Sequence, residues 1–498
     1  MKQEITDSDT LSADVIPAVI SPPRSSQSSS QSFLQSFLQR FLNGKTGLVA
    51  IYLVFLAAYL GASGPRLRRP SPYNHFAYLA QGWLSGSLAL TTDPPNENDW
   101  ARVEILKLQD GSELKGQFSR RGATDRFIPL SGPSRTVRDD EIVSRRWKRY
   151  VSFPPFPAVV MTPLVAIWGL STNDVILTAV WAALNPVLLF MLLGFLRRKN
   201  YSERTPVEDL WLTVMFGAGS VYFFASVVGQ VWYTAHVMAT TMVIGYVWAS
   251  IEGHRPALAG LFVGLGFATR TPLGFMLPLF LFEVVRAEGG WQKLWQTRRL
   301  PWRLVLRLLR FAVPAVAILA ILLVHNHLRF ERWGEFGHKY LNIIWQDRMQ
   351  RWGLFNYHFM SRNLTAALVL LPRVLAKWPY LQVSRHGMSL FLTTPNLGYL
   401  CKRGVRSPLA WGLWLSVLAT ALPSLMYQNS GFVQFGYRFS LDYMIFLVAL
   451  LAVGNVRMTW VFKLLILLSI PLNLFGAITF DRMTQYTYSD SFFPNGPE

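Results

Sequence analysis

Long apolar blocks separated by short polar breaks run through most of the chain, and the blocks 180–196, 312–324 and 462–478 are nearly free of charge. Runs of about 18 to 20 apolar residues match the hydrocarbon thickness of a bilayer. Inside lipid the backbone must satisfy its own hydrogen bonds, so such runs are expected to be helices. Their Leu, Ala, Val and Gly content lacks the two-residue alternation of an outer-membrane barrel. The pattern therefore predicts an all-α polytopic membrane protein. The first span is expected at 46–64. A second ends at Leu196, and others follow at roughly 210–228, 233–251, 256–270, 272–286, 305–326, 386–401, 407–426, 438–454 and 458–478, giving about 11 in all.

The breaks between blocks have their own pattern. Residues 1–45 form a polar tail, Ser/Gln-rich from Ser25 to Ser32 and expected to be partly disordered. Apolar pairs at helical spacing from Ser32 to Leu42 fit an interfacial helix. No short basic start leads directly into an apolar stretch, so no secretory signal is expected. An outer loop spans 65–155, with Tyr73 to Leu88 at helical spacing on the membrane surface. Within that loop, Val103 to Leu108, the turn Gln109-Asp110-Gly111, and Glu113 to Phe118 read as a small β insertion. Residues 156–480 make the multi-span domain, and 481–498 an outer tail. The segment beginning Tyr150-Val-Ser-Phe-Pro-Pro-Phe-Pro is too proline-rich for a regular helix start. The apolar stretch after it, Val159 to Gly169, is short, and is expected to dip into the outer leaflet and return.

Charge orients this arrangement. Only 15% of the 498 residues are charged, yet the formal net charge is +20. The cations flank the apolar blocks, which fits positive-inside anchoring and anionic lipid better than nucleic acid. With the proline-rich segment returning, Arg197-Arg198-Lys199, the basic residues between Arg286 and Arg310, and Lys402, Arg403 and Arg406 all fall on the inner side with Arg40 and Lys45. Cys401 is the only cysteine, which excludes an intrachain disulfide and a cysteine-based metal cluster.

The same threading gathers unusual polar and aromatic residues on the outer face: Asn74-His75, Asp93 to Asp99, Trp147 to Pro155, Gln230 to His236, Arg270, Asn326 to Arg362, and Gln434 to Asp442. Charges at the edge of a span mark either a site or a structural pair. Arg438 and Asp442 have the spacing of a helical ion pair, and Arg270 fits a span end reaching the interface. Trp232, Tyr233 and His236 fit interfacial anchoring equally well. Taken as a site, Arg270, Arg438 and His236 would bind phosphate, with Trp232, Tyr233 and Asp442 lining the pocket. Arginine suits this because its fixed fork of donors stays charged. The substrate such a site fits is amphipathic, with an anionic head and an apolar tail.

The order of one span, then Tyr73-Asn-His-Phe-Ala-Tyr-Leu-Ala-Gln-Gly-Trp-Leu-Ser-Gly-Ser-Leu, then Tyr150-Val-Ser-Phe-Pro-Pro-Phe-Pro-Ala, resembles the GT-C superfamily of membrane glycosyltransferases. Within it the chain looks like bacterial relatives of the dolichyl-phosphate-mannose–protein mannosyltransferases. Gly229-Gln-Val-Trp-Tyr-Thr-Ala-His236, Ala268-Thr-Arg-Thr-Pro272 and Phe435-Gly-Tyr-Arg-Phe-Ser-Leu-Asp442 are further points of similarity. The resemblance covers most of 45–480. It implies a multi-pass protein of the bacterial inner membrane that inverts a sugar from a polyprenyl-phosphate donor onto a glycan, lipid or protein acceptor at the outer face. It also implies an acidic base in the first outer loop, since an acceptor hydroxyl is a poor nucleophile until its proton is taken. Here the chain departs from the family, for no Asp or Glu lies between Gly61 and Ser87. Asn74 and His75 occupy that region, His75 is one alternative base, and Asp99 is the preferred one. Asp93, Glu97 and Asp99 are the only loop carboxylates offered for a divalent metal, and their spacing assigns none. The competing reading is a transporter or flippase of a lipid-linked or anionic solute, although no internal repeat supports it. A non-catalytic membrane scaffold, binding through the β insertion and the polar tail, is the third.

Overall fold

The computed structural model describes residues 41–42, 44–119, 125–297, 301–341, 343, 345–401 and 407–489. The polar tail up to residue 40, most of the expected interfacial helix, the basic residues Arg298, Arg299, Lys402, Arg403 and Arg406, and the end of the outer tail lie outside the described residues.

Helix α1 (Lys45–Ser63) leads to α2 (His75–Leu84) and then to an antiparallel sheet. Its strands are β1 (Trp100–Leu108), β2 (Glu113–Phe118), β3 (Arg126–Pro129), β4 (Arg135–Thr136) and β5 (Ile142–Val151), in the order β4-β3-β2-β1-β5. The expected β1–β2 hairpin is present, with Leu106 opposite Leu114 and Gly111 at positive φ in the turn. The insertion is larger than expected, because β5 pairs along almost the whole of β1. Ala101, Val103 and Tyr150 of the sheet pack against Phe330, Tyr340 and Leu341.

Helix α3 (Phe156–Trp168) has 13 residues, about 20 Å at 1.5 Å per residue, and stops at Gly169 with φ 55. That length suits a helix that enters a leaflet without crossing. Helix α4 (Asp174–Arg198) starts where the Asn173 side chain accepts from the Val175 and Ile176 amides. Asp174 in the first turn and Arg197 and Arg198 in the last complement the helix dipole. Helix α5 (Pro206–Gly217) opens on a reciprocal Thr205/Glu208 capping box, then α6 (Val221–Ser226) leads to α7 (Gln230–Ser250). Helix α8 (Pro256–Phe267) precedes α9 (Pro278–Ala287), α10 (Gly290–Thr297) and α11 (Trp302–Phe330). At Gly260 the α8 backbone lies against the Phe311 carbonyl of α11, leaving no room for a Cβ; small residues allow such close approach in membranes. The chain continues through α12 (Gln346–Trp352), α13 (Met360–Leu368), a short hairpin of β6 (Arg373–Val374) and β7 (Leu381–Ser384), and α14 (Leu390–Thr393). It closes with α15 (Pro408–Leu425), α16 (Met444–Val453), α17 (Trp460–Thr479) and β8 (Thr487–Tyr488), which pairs in parallel with β7.

Among the described residues six helices are long and apolar enough to cross a membrane: Lys45–Arg68, Asp174–Arg198, Gln230–Gly253, Trp302–Phe330, Pro408–Leu425 and Trp460–Thr479. The pair Pro206–Gly217 and Val221–Val228, bent by 58°, makes a seventh if it is one span. This is fewer than the 11 expected. The other four expected spans, 256–270, 272–286, 386–401 and 438–454, fall on helices too short by themselves to cross. One of them, α16, has only ten residues, all of them buried. By contrast, only 11% of the α11 window is buried. Exposed indoles stand at or near the starts of α11, α15 and α17 (Trp302, Trp411 and Trp460), as expected where a span meets the headgroups.

Candidate functional site

Asp174 organises the region. Its carboxylate accepts from the Ser71 amide (2.8 Å) and hydroxyl (2.5 Å), and from the Gln230 amide (2.8 Å). The Val231 amide donates to the Tyr73 carbonyl at 3.0 Å. These bonds fix the entry to α2 against the first turn of α7. Gly229 (φ 67) makes the approach possible, since a Cβ there would lie 2.9 Å from Val175 Cα. On the other side, Arg329 at the end of α11 donates to the Val151 carbonyl and, at 2.9 Å, to Asn326 Oδ1. The sheet, α2, α7 and α11 are thereby held together around one spot.

Asp99 sits at that spot, just before β1, with φ 63. The Trp232 indole N–H donates to its Oδ2 at 3.1 Å, and among the described residues no donor reaches Oδ1. Removal from water raises the Asp99 pKa to about 6; the Trp232 bond and the positive charge of Arg438 pull the other way. Beneath it His75 is fully buried, stacked on Trp100 with ring centroids 3.7 Å apart, and edge-on to Phe153 at 5.4 Å. Neither His75 ring nitrogen forms a well-aligned hydrogen bond, although the ring lies near the backbone of Tyr73, Asn98 and Asp99. Burial lowers the His75 pKa to about 4, so the ring is neutral at pH 7. Asn74 is buried beside it and donates to the Thr172 carbonyl at 2.8 Å. His75 and Asn74 are thus buried next to Asp99, with neither His75 ring nitrogen open to solvent.

The two other loop carboxylates face elsewhere. Asp93 and Glu97 each pair with Arg149 at 2.8 Å. The trio considered for a divalent metal is thus split by an arginine, and among the described residues no group of three or more His, Cys, Asp or Glu could hold one.

Arg438 lies against the same indole that bonds Asp99. Its side chain is buried against Tyr233, Phe439 and Trp232, with the guanidinium carbon 5.1, 5.5 and 5.9 Å from the three ring centres. Its Nε and Nη1 are buried without a hydrogen-bond partner. The Tyr233 hydroxyl donates to the Val433 carbonyl at 2.7 Å, which locks the ring that Arg438 covers.

Arg438 and Asp442 are not the helical ion pair that their spacing predicted. The segment Arg438–Asp442 is a 3-10 helix, in which positions four apart point about 120° away from each other. Asp442 instead grips Arg270 through two parallel bonds, Nε–Oδ1 at 2.6 Å and Nη2–Oδ2 at 2.9 Å. His236 Nδ1 lies 3.4 Å from Asp442 Oδ1, too poorly aligned for a hydrogen bond. Arg270 is thus paired with Asp442 and His236 lies against the same carboxylate, while Arg438 keeps two buried nitrogens without a hydrogen-bond partner among the described residues.

Two residues of the site went unnoticed in the sequence. Tyr427, just past the end of α15, feels the charges of Asp99, Arg438 and Arg270 together. Phe439 lies under both arginines, 5.6 Å from Arg270 and 5.5 Å from Arg438. Nothing local distinguishes Tyr427 from an interfacial tyrosine, and Phe439 carries no polar group to set it apart between Arg438 and Asp442. The chain matches no protein-family model and no curated protein sequence.

Proposed function

We propose that this protein is a membrane glycosyltransferase of GT-C type, moving a sugar from a polyprenyl-phosphate carrier to an acceptor hydroxyl at the outer face of the bilayer. The observation that carries the reading is the meeting of Asp99 and Arg438 at the Trp232 indole: a carboxylate with a near-neutral pKa and an open oxygen bonds the indole N–H, and a buried arginine with two unpartnered donor nitrogens lies against the same ring. Buried cationic nitrogens without hydrogen-bond partners are costly and point to an anionic ligand. A base with a pKa near the working pH suits proton abstraction.

In this reading Asp99 Oδ1 takes the acceptor proton as the acceptor oxygen attacks the anomeric carbon. The bond from that carbon to the phosphate oxygen breaks, and its electron pair leaves with the lipid phosphate. Arg438 offsets the charge that builds there. Attack opposite the leaving group inverts the anomeric centre. Arg270 and Asp442 keep the Arg438 segment in place from behind. The buried His75–Trp100 stack holds the Asp99 backbone.

One feature favours a transporter of lipid-linked solutes instead, namely the 58° break between α5 and α6, since broken helices are frequent in transporters. A single assay separates the two. The purified chain in vesicles is given a polyprenyl-phosphate sugar and candidate acceptors. Covalent sugar transfer with release of polyprenyl phosphate supports the enzyme; movement of intact donor between leaflets with no product supports the transporter.

A further inference from the structure

Away from the site, the stretch between α13 and β7 carries a concentration of exposed apolar side chains. Leu368, Val369, Leu371, Val374, Trp378 and Tyr380 are all exposed, Val374 at 83% and Trp378 at 66%, although none lies in a helix able to span a membrane. Scattered surface hydrophobics are ordinary, but six within thirteen consecutive residues are not. The stretch is nonetheless well built. Leu375 donates its amide to the Tyr380 carbonyl at 2.8 Å, β6 pairs with β7, and the Ser389 amide and hydroxyl hold the Leu370 and Leu368 carbonyls at 2.7 Å each.

Its height in the molecule is fixed by rings. Trp378 packs edge-on against Tyr486 at 5.8 Å, and Tyr486 against Phe475 of α17 at 5.2 Å. Phe475 lies in the last two turns of that span, whose Leu467, Leu468 and Ile478 are exposed. The hairpin is therefore level with the place where α17 leaves the hydrocarbon. Lys377 is exposed beside Trp378, and Arg373 lies over the Tyr488 ring at 3.7 Å. Indoles, phenols and cations flanking aliphatic residues form the composition that settles at headgroup level.

We propose that the segment from Leu368 to Tyr380 is an interfacial anchor that seats Val374, Trp378 and Tyr380 in the headgroup boundary of the leaflet where α17 ends. The anchor is continuous with the candidate site. It follows α13, whose Asn363 donates to the Tyr427 carbonyl at 2.8 Å and whose Arg362 donates to the Gln428 carbonyl at 3.0 Å. Seating the hairpin in lipid fixes the height of the Tyr427 loop above the bilayer surface, whatever reaction the site performs.

The test uses the full chain with Cys401→Ser, which removes the single native thiol. Spin labels are placed through Val374→Cys and Trp378→Cys, with Val316→Cys on the lipid-exposed face of α11 and Thr136→Cys on β4 as references. The protein is reconstituted in vesicles of phosphatidylethanolamine and phosphatidylglycerol. Collision rates are measured with oxygen, which concentrates in lipid, and with a water-soluble nickel chelate. At 374 and 378 the oxygen-to-nickel ratio is expected to lie between those of 316 and 136, and several-fold above that of 136. A ratio matching position 136 would overturn the anchor. So would spin–spin broadening that grows with protein-to-lipid ratio, because it would assign the patch to contact between copies of the chain.

Discussion

Asp442 and Arg270 meet through two parallel hydrogen bonds, 2.6 and 2.9 Å long, across 172 positions of sequence. The pair joins the turn after α8 to the 3-10 segment that carries Arg438. Asp442 is fully buried and Arg270 nearly so. Removing one partner leaves the other buried and uncompensated, which costs about 3–5 kcal/mol in such pairs. Asp442→Ala is accordingly expected to lower the thermal midpoint in detergent by many degrees. Arg270→Lys should also destabilise, since a lysine cannot reproduce the fork. Melting curves of the two variants against the parent check this.

Arg438 should behave in the opposite way. It is a buried cation with two unsatisfied nitrogens, so Arg438→Met removes a desolvation cost while filling similar space. The midpoint of Arg438→Met is expected to equal or exceed that of the parent, while affinity for polyprenyl phosphate falls at least about tenfold, the loss of a charge-assisted hydrogen bond or more. Paired melting and lipid-phosphate binding measurements read both effects.

Folding raises the Asp99 pKa from 3.8 to about 6, so between those values the folded chain holds the proton more tightly than the unfolded chain. Stability from this group is therefore greatest below about pH 4 and falls as pH rises through about 6. Asp99→Asn removes that dependence, and its midpoint should gain on the parent's as pH is raised from 4 to 7. Activity should move the other way in the parent, rising through about pH 6 as the base ionises. Melting and rate profiles over that interval test the two signs together.

Gly229→Ala places a methyl group against Val175 in a backbone conformation that disfavours it. A loss of about 1–3 kcal/mol is expected from the strain. Because Trp232 and Tyr233 lie in the first turn of α7, which Gly229 caps, donor binding should weaken along with stability, whereas a similar substitution at exposed Gly132 should not affect binding.

Most of the site was legible in the sequence, for a physical reason. Polar and charged residues next to apolar blocks are rare enough that Asp99, Trp232, Tyr233, His236, Arg270, Arg438 and Asp442 stood out, and the fold gathers all seven. Their pairing was not legible. Positions 438 and 442 promised an α-helical pair, and only the 3-10 winding turns Asp442 towards Arg270. The expected span count exceeds the six or seven long helices because apolar sequence does not reveal where a helix stops: the apolar stretch at 438–454 is divided into a 3-10 segment and the ten-residue α16. The β1–β2 hairpin was visible through its turn, while β5 was hidden by the run Arg145-Arg146-Trp147-Lys148-Arg149, whose charges mask the alternation.

The reading of the site rests on a division of labour between Asp99 and Arg438, and one experiment separates them. Donor binding and single-turnover sugar transfer are measured side by side for the parent, Asp99→Asn and Arg438→Ala in the same vesicles. The account predicts that Asp99→Asn binds the polyprenyl-phosphate sugar normally but transfers at least about a hundredfold more slowly, the usual weight of a general base, and that Arg438→Ala fails to hold the donor. Transfer at the parental rate by Asp99→Asn, or undiminished donor binding by Arg438→Ala, contradicts it.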